Sequence, residues 1–198
     1  MTMTQETTLV GEVALEVRNA VLSWCEVNSC IESTRLGLLV FERLGIPARP
    51  QPVRVAVMNR LSWNLMNANV PFKQWPDEAY NLGVGFRQGD VPPDGWNGHL
   101  VAIVREPGQP RHLIDISADQ FDRPGRLNVP GPVGMTITKL WTPNDPAYRL
   151  LQDGDTILDY RPFAPGDPVG QEYLSTPAWN NDPDDFNRLA DTIAARFA

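Results

Sequence analysis

The chain has 198 residues, 42% hydrophobic and 21% charged, enough apolar material for a sizeable core and too little charge for a disordered acidic tail. Its 17 basic and 24 acidic side chains give a net charge of −7, and no Lys/Arg run supplies the basic footprint that nucleic-acid binding needs. No apolar stretch approaches the roughly 20 residues of a membrane span, and the opening MTMTQETTLVGEV lacks the basic start and apolar centre of a signal peptide.

These features predict a cytoplasmic chain, one domain over 1–198, without nucleic-acid or membrane partners. The two cysteines, Cys25 and Cys30, are too few for a disulfide framework and are not spaced as a CxxC pair. With only two histidines beside them, zinc is not expected, and no other metal or organic cofactor is implied.

In chain order, residues 6–23 carry Leu9, Val13, Val17, Ala20 and Val21 at steps of three or four, which predicts a helix with Glu12, Glu16 and Arg18 on its outer face. A second helix is expected from about Cys30 to Leu44, stopped by Gly45-Ile46-Pro47. Residues 53–58 (VRVAVM) alternate as a strand. Residues 61–97 show little periodicity but hold Trp63, Phe72, Trp75, Tyr80, Phe86 and Trp96, an aromatic insertion that reads either as a lid or as irregular local core. HLVAIV (99–104) and HLIDI (112–116) flank a Pro/Gly turn and read as a hairpin. Further strands are predicted at MTITKL (135–140) and TILDY (156–160). The tail from Pro183 to Phe197 reads as a helix with Asp182 as N-cap, and Asp184 and Asp185 as its first-turn charge. This order predicts an α+β fold, N-terminal helices packed on an antiparallel sheet.

Ser29-Cys30-Ile31-Glu32 matches the S-x-x-E capping box and makes Cys30 the first residue of a helix. Free N–H groups and the positive end of the dipole at that place favour a thiolate, the nucleophilic form of cysteine. A cysteine at a helix start is also, commonly, a small buried hydrophobe. A turn centred on Pro107 opposes His99 to Asp115, with Cβ atoms about 5 Å apart on one face. The carboxylate then orients the imidazole, and the pairing accounts for an acid inside the apolar run LIDI. His112, beside the turn, is read as a surface residue, and Cys25, at the end of the first helix, as core.

Ser29-Cys30-Ile31-Glu32-Ser33-Thr34, Gly98-His99-Leu100-Val101 and Leu113-Ile114-Asp115-Ile116-Ser117 together resemble the papain-like fold in its transglutaminase-like branch, over about residues 25–120. The resemblance implies Cys30 as nucleophile, His99 as base and Asp115 as orienting acid. It implies cysteine-dependent acyl transfer or hydrolysis at an amide or thioester of a peptide, protein or small acyl substrate. The chain departs from the family in having Ile31 where transglutaminases carry an aromatic residue, and no Gln shortly before the cysteine. Ile31, Asn28, Trp96 and Gln120 are the candidates for oxyanion or substrate contacts. The alternative is a non-enzymatic binding module that keeps the fold and grips a partner with the aromatic insertion.

Overall fold

A computed structural model describes residues 8–26, 28–86, 95–137, 141–142, 148–152 and 154–198, the last strand but one (148–152) by its backbone. The fold is α+β. Helices α1 (Leu9–Leu22), α2 (Cys30–Arg43) and α5 (Pro183–Ala194) cover one face of an antiparallel sheet. The sheet is built from β1 (Ala48–Asn59), β2 (Asn81–Val84), β3 (His99–Val104), β4 (Arg111–Asp115), β5 (Val133–Ile137), β6 (Tyr148–Gln152) and β7 (Thr156–Pro162). Two short helices, α3 (Arg60–Asn67) and α4 (Pro177–Asn180), complete the described elements together with three 3-10 turns.

The strand order is β5-β4-β3-β1-β7-β6, with β2 also on β1. β1 is long enough to serve two partners along one edge. Its residues 48–53 pair with β3 and 55–58 with β2, while β7 occupies the opposite edge. Where β2 gives way to β3, the edge of β1 opens, and His99 stands at that junction opposite Val53. Side chains on β1 alternate as the period of two requires, and Val53, Val55 and Val57 are fully buried.

The alternation divides the interior in two. Ala102, Val104, Ile114 and Ile116 face the helices, where they meet Val10, Val13, Val17, Val21, Leu36, Val40 and Phe41. Val101, Ile103, Leu113, Leu158 and Tyr160 face the other side. Each fully buried aliphatic or aromatic side chain stabilises the fold by roughly 1.5–3 kcal/mol relative to exposure. By parity, His99 and Asp115 belong to the second face, away from the helix layer.

Several expectations are corrected. Arg18 is on the buried face of α1, only 1% exposed. Ser29 is the N-cap of α2, but its side chain makes no capping bond, so the capping box does not form. Asp182 precedes α5 in a left-handed conformation and likewise makes no side-chain cap. The 61–97 segment is more regular than its composition suggested. It contains α3, capped by Asn59 on Ser62 N–H, and β2, which alternates too briefly to be read from sequence. Residues 87–94 of that segment, and 138–140 of the predicted strand 135–140, lie outside the described residues, as do residues 6–7 of the first predicted helix. No described helix is long and apolar enough to cross a membrane.

Candidate active site

α2 begins at Cys30 and is seated on β3. The Thr34 hydroxyl donates to the Leu100 carbonyl at 2.9 Å, and Ile31 packs with Leu100 and Tyr173. This seating brings the half-buried Cys30 to the start of β3, where its charge and hydrogen-bonding capacity bear on the His99 imidazole. Nε2 of His99 lies 2.7 Å from Asp115 Oδ2, and both side chains are buried, 1% and 0% exposed.

The pairing arises from a register different from the one expected. Ala102 faces Ile114 and Ile103 faces Leu113. Extending that ladder opposes Asp115 to Val101 rather than to His99. The shift is two residues, an even number, so both side chains remain on one face and meet diagonally. His112, half-buried opposite Val104, has the other parity and does not line the cleft. It does not line the site, and is partly covered rather than open at the surface. Cys25 is partly buried against the helix-side core, as expected, and burial pushes its thiol up to about 11.

Two partners of Asp115 were not read from the sequence. The Tyr160 hydroxyl donates to Oδ2 at 2.8 Å, and Ser117 N–H donates to Oδ1 at 3.2 Å. Tyr160 projects from β7 across β1, and both it and Asp115 are fully buried. Its signal was the alternation of TILDY, which places it on one face with Leu158, because a buried tyrosine hydroxyl needs a partner. Burial of the phenol, reinforced by the Asp115 charge, holds it well above the usual tyrosine range.

Nδ1 of His99 lies 2.8 Å from Gln120 Nε2. In the neutral form of the ring, the amide N–H donates to Nδ1 and the proton on Nε2 is donated to Asp115. Gln120 comes from the 3-10 turn Ala118–Phe121, and the Phe121 ring closes the other side of the imidazole, edge-on at 5.1 Å. Burial alone would depress the His99 pKa. The charge and hydrogen bond of Asp115, and the hydrogen bond and charge of Cys30, outweigh it and raise the group to about 10. The imidazole thus holds its proton more tightly than a free histidine does.

These groups open on a cleft of about 460 Å³ lined by Cys30, Ile31, Asn28, Glu32, Trp96 and Gln120 and, from β2 and beyond, by Leu82–Val84, Phe121, Arg123 and Ala178. All four predicted contact residues therefore border it. Asn28 is exposed at the mouth, whereas Ile31 and Gln120 are buried. Trp96 is half-buried and fixed, its indole N–H donating to the Val169 carbonyl at 2.5 Å and its ring lying over Gly98, where a Cβ would collide with it. Burial holds the Glu32 carboxyl above its usual range. A larger hollow of about 610 Å³ lies between the end of α2, Trp179 and Ala48, but no cysteine or histidine lines it, and we assign it no chemistry.

Among the described residues, no group of three His, Cys, Asp or Glu side chains is placed to hold a metal ion. No family model, curated protein or solved structure matches the chain.

Proposed function

We propose that this chain catalyses cysteine-dependent acyl transfer or hydrolysis at an amide or thioester, on a papain-like scaffold of the transglutaminase-like branch. The observation that carries the reading is the buried His99–Asp115 bond of 2.7 Å, with Cys30 at the first position of a helix beside the same imidazole. A cysteine, a base within reach and a third group orienting that base form the recurring arrangement of nucleophilic catalysis.

In the proposed reaction the Cys30 proton passes to His99 and the sulfur adds to the substrate carbonyl carbon. The carbonyl oxygen takes the negative charge and faces two candidate donors, the Ile31 N–H in the first turn of α2 and the Gln120 carboxamide. Collapse breaks the bond to the amine or thiol, which leaves with the proton held by His99. The acyl group remains on Cys30 as a thioester. Water or an amine then attacks that carbonyl, giving its proton to His99, and the thiol is regenerated when His99 returns it. Asp115, held by Tyr160 and Ser117, orients the imidazole through Nε2 throughout. The substrate is a peptide, protein or small acyl compound that fits the cleft.

The test is release of p-nitrophenol from p-nitrophenyl acetate, followed from the first turnover. We expect an initial burst stoichiometric with protein, lost in Cys30→Ala and His99→Ala while both variants unfold cooperatively. A burst that survives Cys30→Ala would refute the assignment.

A further inference from the structure

We propose that Arg18 is a positioning residue of this site, holding the turn that starts with Cys30 in register with the turn that presents Gln120 to His99. The inference rests on the acyl-transfer reading above. The Arg18 guanidinium is buried. Its Nε donates to Asp119 Oδ1 at 2.8 Å, and Nη1 donates to Ser29 Oγ at 2.8 Å and Ser33 Oγ at 3.2 Å. Ser29 immediately precedes Cys30, and Asp119 immediately precedes Gln120. One planar, rigid fork therefore spans the two segments that carry Cys30 and Gln120.

A second observation points the same way. Ser29 occupies the N-cap of α2, where its hydroxyl oxygen ordinarily accepts from an N–H of the first turn. Here that oxygen accepts from Arg18, and the first turn has no side-chain cap. Arg18 thus keeps the donors beside Cys30 clear of an internal acceptor. Stability is a poor explanation for the arrangement. Desolvating an arginine offsets most of what its pairing contributes, and apolar replacements of buried ion pairs are often neutral. The Asp119 side chain is 21% exposed, which weakens the pair further.

The experiment uses the full chain with Cys25→Ser, so that Cys30 is the only thiol. Alkylation by iodoacetamide is timed near pH 6 and near pH 9, and the ratio of the two rates is compared among the parent, Arg18→Lys, Arg18→Met and Asp119→Asn. The groups around the thiol that titrate or carry charge are His99, Glu32, Arg123, Asp119 and Arg18 itself, and a urea midpoint is taken for each variant. Both Arg18 variants are expected to lower the ratio about tenfold, equivalent to about one pH unit. Lysine should fail to rescue, since a point charge cannot span both turns. Asp119→Asn should lower the ratio by a smaller factor. A ratio unchanged in variants whose midpoint falls makes Arg18 purely structural and overturns the inference while the acyl-transfer reading stands. A parent whose Cys30 is as slow near pH 6 as free cysteine overturns both. Should Arg18→Met fail to fold, Asp119→Asn decides by the same ratio.

Discussion

Asp115 illustrates how a charge is kept in an apolar interior. It is fully buried, yet its two oxygens accept from His99, Tyr160 and Ser117, so the carboxyl is stabilised by three donors. Tyr160→Phe removes one donor and leaves the ring in place. We expect it to destabilise the fold by about 1.5–3 kcal/mol, the range for a hydrogen bond to a charged group, read as a lower urea midpoint. An unchanged midpoint would mean that the hydroxyl contributes nothing to Asp115. His99 adds a pH dependence of definite sign. Its folded pKa is raised from 6.5 to about 10, so its contribution is fully present below pH 6.5 and is lost as pH rises through the folded value. Stability should therefore decline between neutrality and about pH 10, and His99→Gln should flatten that slope. The Cys25 thiol, raised from 9.0 to about 11, adds a loss only above pH 9, so titrations between pH 6.5 and 9 isolate His99. A parent whose stability is level across that interval contradicts the ion pair.

Elements position these residues through a few close approaches. Gly98 is required because the Trp96 indole lies directly over it, while Trp96 is itself held by Val169 and packs against Tyr173 at 5.4 Å and Phe163 at 6.2 Å. Gly98→Ala should either displace the indole or strain the entry to β3, costing about 1–3 kcal/mol. A urea melt superimposable on the parent would show that the indole yields freely. The same packing means that Trp96 is both wall and prop. Trp96→Ala should lower the melting temperature as well as weaken substrate binding, and a change in KM with no thermal effect would argue against the prop. Gly37 does a similar service in α2, whose close seating over Ile116 leaves no room for a Cβ unless that side chain moves. β3 is the element best anticipated, His99–Val104 as observed, because residues 100–104 are uniformly apolar and the strand is bounded by turn residues. β2 and α3 escaped notice because a four-residue strand and an eight-residue helix hold too few turns or alternations to make a period.

At the scale of the whole molecule, the antiparallel α+β architecture and the meeting of His99 and Asp115 were legible, for physical reasons that differ. The architecture followed from element order. The His99–Asp115 pairing was anticipated from a register two residues off, and it survives because side-chain direction repeats every two residues. What remained illegible is what long-range contact decides. Arg18 joins the buried residues Ala14, Val17 and Val21 of α1 only because Asp119, a residue 101 positions away, comes to meet it. Its place close to Ala14 and Val21 on the helical wheel was the available signal, since an arginine beside an apolar stripe demands partners. The Ser29 cap was misread for the same reason, because a distant donor outcompeted the local one. Whether Cys30 accepts an acyl group with help from His99 is decided by intact-mass and peptide mass spectrometry after brief mixing with p-nitrophenyl acetate. The expected product is a single acetyl adduct on Cys30, absent in Cys30→Ser and strongly reduced in His99→Ala; no adduct, or one located on Cys25, would contradict it.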